Sequence, residues 1–226
     1  MPARAEIMGW RRETRSRLIE ARLALPVDER ARRAARALAA LADAVDLARF
    51  ATVGLYWPFR GEIDPRPLAR SLIESGTRVG LPVVVERNAP VAFREWAPDV
   101  PMTRGVWNIP IPDGTPTVHP ACLVVPLVGF DAMGYRLGYG GGYYDRTLAA
   151  RRPRPWAIGL GLDLGRLDTI HPLDHDVPMD GIVTESGAVR HDRAVPDRLE
   201  AEPEVGFASP ACLLPEVGLD DPGPWR

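Results

Sequence analysis

The chain contains no lysine. All 28 of its basic residues are arginine, in a sequence of 226. That absence removes every mechanism built on an ε-amino group: the Walker A phosphate loop, Schiff-base chemistry and Ser–Lys hydrolysis. Cysteine is scarce as well. Cys122 and Cys212 lie far apart with no metal-ligand spacing, and Cys122, inside an apolar run, is expected to be buried and reduced. Of the four histidines, His171 and His175 stand four apart, but Pro172 between them spoils a helical pair. There is no HExxH, no GxSxG and no Cys–His nucleophile pattern, so all four histidines are expected to be structural. No apolar run is long enough to span a bilayer and no signal-peptide pattern is present. The expected location is the cytoplasm, without a membrane partner.

What is present suits one globular domain: 46% apolar and 26% charged residues, with a formal net charge of −2. The charge is unevenly placed. The N-terminal segment is rich in arginine and the region after Asp163 is acidic. Glu6, Glu13, Glu20, Asp28 and Glu29 interrupt the basic run. A solvated amphipathic helix is therefore the first reading, triphosphate contact the second and nucleic acid a distant third. A small-molecule partner is expected, with no nucleic acid, in a monomer or weak homodimer.

Along the chain, residues 7–25 have helical periodicity, with Ile7, Trp10, Thr14, Leu18, Ala21 and Leu25 on one side. Arg11, Arg15 and Arg22 form a separate stripe. Helices are also predicted over 28–47, 65–75 and from about 146 to 151, and strands over 52–57, 78–85, 91–96, 121–128, 156–162 and 181–185. Residues 98–120, rich in Pro and Gly, read as loop. This alternation implies an α/β fold: a single domain with a mainly parallel sheet covered by helices on both faces, a Rossmann-like three-layer arrangement. Ligands of such sheets sit outside the carboxyl ends of the strands, so several loops are expected to converge on one crevice. The predicted domain spans 1–190, and 191–226, acidic and proline-rich, reads as an extended or disordered tail.

The most informative stretch is Arg136-Leu137-Gly138-Tyr139-Gly140-Gly141-Gly142-Tyr143-Tyr144-Asp145. Residues 138–142 include four glycines, between an arginine and an aspartate and ahead of a helix. Glycines let backbone N–H groups turn toward an anion, and a helix start adds partial positive charge. Arg136 supplies a planar phosphate fork and Asp145 can hold a metal beside phosphates. The dinucleotide fingerprint fails, because Tyr143 stands where a third small residue is needed.

This stretch, preceded by Gly129-Phe130-Asp131-Ala132-Met133-Gly134-Tyr135, resembles the signature of the 5-formyltetrahydrofolate cyclo-ligase family. Other pieces match in order: Arg11-xxx-Arg15, where the family has Lys-xxx-Arg; Tyr56-Trp57-Pro58-Phe59-Arg60-Gly61-Glu62-Ile63-Asp64, similar to its substrate loop; Gly80–Val84; Trp107–Pro112; and His175–Asp180. The resemblance covers roughly residues 8–187. It implies ATP- and Mg²⁺-dependent conversion of 5-formyltetrahydrofolate to 5,10-methenyltetrahydrofolate, through phosphorylation of the formyl oxygen. The alternative is a non-catalytic folate- or nucleotide-binding relative on the same scaffold.

By that resemblance Arg11, Arg15, Arg136 and the loop Gly138, Tyr139, Gly140, Gly141, Gly142, Tyr143 and Tyr144 hold ATP. Arg136, Tyr143 and Asp145 serve catalysis, and Asp145 and Asp180 bind the metal. Trp57, Glu62, Trp107, Tyr143 and Tyr144 meet the folate, with Glu62 on the amino-pyrimidine edge. Each has a plainer alternative. Arg11 and Arg15 would be solvated helix residues, Asp145 a helix N-cap, Asp180 a turn residue after Pro178, Glu62 an exposed acid and the tryptophans core plugs. Two positions depart from the family: Arg11 replaces lysine, and Gly141 occupies a position that is lysine in some members.

Overall fold

A computed structural model describes residues 3–191. Apart from His191, the expected tail, Cys212 included, lies outside the described residues. In chain order the elements are α1 (Arg4–Ala24), α2 (Val27–Ala44), β1 (Thr52–Gly54), α3 (Arg66–Glu74), β2 (Arg78–Val83), β3 (Ala92–Trp96), β4 (Met102–Arg104) and β5 (Pro110–Pro112). They continue with β6 (Thr117–Val118), β7 (Cys122–Pro126), β8 (Gly129–Phe130), β9 (Arg136–Leu137), α4 (Tyr143–Ala150), β10 (Trp156–Leu160), β11 (Gly181–Thr184) and β12 (Gly187–Arg190).

Eight strands form one sheet in the order β12-β11-β10-β7-β1-β2-β3-β6. The run from β11 to β2 is parallel, and β12, β3 and β6 add antiparallel edges. The mainly parallel α/β sheet expected from the sequence is the one observed. Side chains alternate across it, as the two-residue period of a strand requires. Cys122 and Val124 face a core containing Leu41, Leu72 and Phe50, while Leu123 and Val125 face Phe93, Leu148 and Phe130. A third cluster joins Leu18 and Ile19 of α1 to Val128, Leu137 and Ile170. This docks α1 over the β8–β9 hairpin, beside the carboxyl ends of the central strands.

Three expectations need correction. Residues 98–120 are not plain loop: they hold the antiparallel β4–β5 hairpin and β6. The arginine stripe of α1 faces inward, with Arg11, Thr14, Leu18 and Arg22 buried and Ala21 exposed. Finally, α4 starts at Tyr143, with Gly142 as its N-cap at φ 64°, a left-handed geometry that suits glycine.

Candidate active site

A cleft opens at the carboxyl ends of the parallel strands. Tyr56, Trp57, Phe59 and Glu62 line it after β1, Leu81, Pro82 and Val84 at the end of β2, and Pro126 at the end of β7. Arg11 and Arg15 of α1, Trp107 and Ile109 of the β4–β5 hairpin and the whole stretch Arg136–Asp145 complete the wall. The loops expected to converge do so. His175, expected to be structural only, and its neighbour Asp176 also line the cleft.

The glycine loop is fixed by side chains from two helices. Arg15 Nε donates to Gly138 O at 2.5 Å and Arg146 Nη1 donates to Gly141 O at 2.5 Å. Arg22 Nη2 donates to the Tyr139 hydroxyl at 2.7 Å. Gly140 takes φ 94°. While the Gly138, Gly141 and Gly142 carbonyls accept hydrogen bonds, the N–H groups of 139–142 donate to no protein acceptor among the described residues. Donors of that kind ahead of a helix are the chemistry of an anion cradle.

Beneath the loop Arg136 and Asp145 pair through two bonds. Arg136 Nη1 and Nη2 donate to Asp145 Oδ1 and Oδ2 at 2.8 and 3.1 Å, and Val177 N also donates to Oδ1 at 3.1 Å. The Arg136 guanidinium stands 5.6 Å from the centroid of the Tyr144 ring. Asp145 lies in the first turn of α4 and does not cap it, which sets aside its reading as an N-cap.

On the opposite wall the Trp57–Glu62 turn is closed by its own carboxylate. Glu62 N donates to Phe59 O at 3.1 Å, and Phe59 N donates to Glu62 Oε2 at 2.8 Å. The other oxygen, Oε1, is buried without a partner, as is the Tyr144 hydroxyl. Burial pushes the Glu62 carboxyl up to about 7, against the opposing pull of Arg22, the Phe59 amide and the Tyr139 hydroxyl. Glu62 is thus no ordinary exposed acid. Trp57 meets Trp96 edge-on at 6.4 Å, with the Arg66 guanidinium over its ring, so it is partly a packing residue. Trp107, at the hairpin tip with φ 57°, is 38% exposed and lies 6.4 and 6.3 Å from the rings of Tyr139 and Tyr143.

Arg11 is not a solvated helix residue. It is 7% exposed, and its guanidinium donates to Ile170 O, His171 O and both oxygens of Asp176, the shortest at 2.5 Å. Asp131, in turn, accepts from Met133 N, Tyr135 N and Ile170 N. Asp131 and Arg11 thereby tie the β8–β9 hairpin and α1 to the 170–176 segment. Arg15 is the freer of the two cations, and burial, with Arg11 nearby, lowers its pKa.

Asp180 does not join Asp145. Its Oδ2 accepts from Ala157 N at 2.8 Å and its Oδ1 from Arg154 Nη1 at 3.1 Å, at the amino end of β11. The cleft is at the other end of the strands. Among the described residues no group of three or more His, Cys, Asp or Glu side chains is arranged to hold a metal. None of their helices is long and apolar enough to cross a membrane.

Three residues that hold the segments around the cleft were not singled out as site residues from the sequence: Arg22, Asp176 and Asp131. The last two lie inside stretches that carry the family resemblance, which was the available signal. Arg22 had none beyond its place in the helical stripe.

Comparison with known proteins gives the family. The family model described as 5-formyltetrahydrofolate cyclo-ligase family matches residues 7–185. A 5-formyltetrahydrofolate cyclo-ligase of Escherichia coli K12 is 33% identical over 142 residues, 60% of this chain and 78% of its own. One from Mycolicibacterium smegmatis is 32% identical over 141 residues, 59% and 73% of the two chains. The solution structure of Aquifex aeolicus 5,10-methenyltetrahydrofolate synthetase superposes with a TM-score of 0.70 at 28% identity, covering 87% of this chain and 99% of that one. With the cleft, the glycine loop and these relatives in agreement, the chain is an enzyme belonging to the 5-formyltetrahydrofolate cyclo-ligase family.

Proposed function

We propose that this enzyme closes 5-formyltetrahydrofolate to 5,10-methenyltetrahydrofolate at the expense of ATP, with Mg²⁺. The observation that carries the reading is the two-sided cleft. One wall offers backbone donors at a helix start; the other offers Glu62 Oε1, with the Tyr144 hydroxyl of α4 nearby, both buried and without a partner. An anion suits the first wall and a flat ring bearing N–H donors suits the second.

In this reading the glycine-loop amides, Arg15 and Arg136 hold the triphosphate in line with the folate. The formyl oxygen attacks the γ-phosphorus and ADP leaves. N10 then attacks the activated formyl carbon, loses its proton, and phosphate departs with the former formyl oxygen. Phosphorylation turns a poor oxide leaving group into a good one; the protein's part is positioning and charge stabilisation. Glu62 accepts hydrogen bonds from the pterin edge. Trp107 and Tyr143 lie across the mouth, where aromatic rings exclude water and stack on the pterin. Arg11 adds its charge to the triphosphate side from within its Asp176 latch.

Asp145 is the carboxylate beside the glycine loop. Its donor chemistry fits Mg²⁺, which needs one or two carboxylates when phosphates supply further ligands. When bound, the ion neutralises charge on the triphosphate. Asp180, spent on Arg154 and Ala157, takes no part in this set.

Mixing protein, ATP, Mg²⁺ and 5-formyltetrahydrofolate should give the methenyl absorbance with one ADP per product. Binding of both ligands without product would favour the non-catalytic alternative. Product formed at full rate without ATP would sink the phosphorylation scheme.

A further inference from the structure

We propose that Arg22 is the positioning residue for Glu62, clamping the Trp57–Glu62 turn to the glycine loop and keeping a fixed positive charge behind the carboxylate. This rests on the reading that Glu62 takes the pterin edge.

Arg22 is 5% exposed, and its one guanidinium serves three separate segments. Nε donates to Arg60 O at 3.0 Å, Nη1 to Leu127 O at 3.2 Å and Nη2 to the Tyr139 hydroxyl at 2.7 Å. The Tyr139 hydroxyl in turn donates to Phe59 O at 3.4 Å. Phe59 and Arg60, the residues of the turn that Glu62 closes, are therefore both tied back to α1. The Phe59 amide is the group that holds Glu62 Oε2, and this leaves Oε1 for a ligand. A planar fork with fixed donor directions can satisfy three such acceptors at once, which a single ammonium on a flexible stem cannot.

The electrostatics agree. The groups acting on or facing Glu62 are Arg22 from α1, Tyr56 from its own loop, Tyr139 from the glycine loop and Tyr144 from α4. Burial raises all three phenols, which keeps them neutral. Arg22 is the one cation acting on Glu62 among the described residues.

The test is a titration of the Glu62 carboxyl carbon in ligand-free protein, assigned with Glu62→Gln. Wild type and Arg22→Met are compared first. The midpoint should rise by about one unit or more in Arg22→Met, since the lost opposite charge favoured the ionised form. Folate affinity near neutral pH should fall roughly tenfold. A folded Arg22→Met protein with an unmoved midpoint would overturn the proposal. If that variant does not fold, Arg22→Lys decides. Lysine keeps the charge and loses the three-way clamp, so the midpoint should stay near wild type while hydrogen exchange at Phe59 N accelerates and folate KM rises. Wild-type exchange and KM in Arg22→Lys would likewise overturn it. Glu62→Gln binding folate as well as wild type sinks the pterin reading alone, because the ligand-free titration still judges Arg22.

Discussion

Arg136 and Asp145 grip each other through both arms, at 2.8 and 3.1 Å, directly beneath the loop that the sequence marks for phosphate. Both are buried, 7% and 8% exposed. Arg136, the fork proposed for phosphate, is therefore matched to a carboxylate of the protein itself. The pair is neutral as a unit, so it costs the fold less than a lone buried guanidinium would. A triphosphate with Mg²⁺ can divide the same two groups: anion to Arg136, cation to Asp145.

Asp145→Asn tests that arrangement. It leaves a buried arginine without its counter-charge, so the protein should lose about 3 kcal/mol of stability. Turnover should fall roughly 10²-fold, the range for removing preorganised charge at a reacting phosphate. The double variant Arg136→Gln with Asp145→Asn should regain much of the melting temperature, because no unpaired charge remains, and none of the turnover. Single variants that melt like wild type would show that the pair is not load-sharing in the fold.

The burial of Glu62 has a sign that can be worked out. An acid whose pKa rises from 4.5 to about 7 on folding binds more protons in the native state between those values. Stability then falls as pH rises through that window, by up to about 3 kcal/mol. Glu62→Gln removes this cost. At pH 8 the variant should melt higher than wild type, and at pH 4.5, where Glu62 is protonated, the two should converge. Folate affinity at pH 8 should drop by about 1–3 kcal/mol, since the charge-assisted bond is gone. A Glu62→Gln protein that gains no stability at pH 8 would show that the carboxylate is well solvated.

The sheet was readable because β7 and β10 carry nearly unbroken apolar runs and β2 and β3 have the strand period. The β4–β5 hairpin escaped because Pro110 and Pro112 look like loop punctuation; prolines are tolerated in a short two-stranded ribbon. Strand β12 escaped because three of its four side chains are exposed, leaving only backbone pairing to define it. Glycines, Arg and Asp marked the loop that is proposed to hold the anion. The partners did not announce themselves: Arg22 reaches residues 105 and 117 positions away, and no local period encodes that. Asp180 could be placed at the amino end of β11 from chain order alone, but its pairing with Arg154 and the Ala157 amide, 26 and 23 positions back, could not.

Trp107 stands outside the three core clusters, at 38% exposure. Trp107→Ala should therefore leave the melting temperature close to wild type. Folate KM should rise by the equivalent of about 1 kcal/mol, as for the loss of an aromatic contact. Wild-type tryptophan emission should change when folate binds, and the variant should lose much of that change. A normal folate KM in the variant would move the pterin away from the hairpin tip.

Arg11 carries the sharpest choice, because its guanidinium is already committed to Asp176, Ile170 O and His171 O. The pair is nearly buried, with side-chain exposures of 9% and 8%. Arg11→Ala strands Asp176, so stability should fall by about 3–5 kcal/mol. An exposed helix arginine would change it by only about 0.5 kcal/mol. The triphosphate role makes a separate demand. If charge near the phosphates is what counts, Arg11→Lys should keep ATP KM close to wild type while still losing stability, because one ammonium cannot replace the four bonds of the fork. If Arg11 acts only as a latch, ATP KM in Arg11→Lys should move with the loosening of the 170–176 segment. Asp176→Asn separates the two. It loosens the latch and frees the arginine for phosphate, so the charge role predicts an ATP KM no worse than wild type and the latch role predicts a KM raised as far as in Arg11→Lys. Melting curves and ATP KM for the three variants therefore assign Arg11 to phosphate, to the latch or to both.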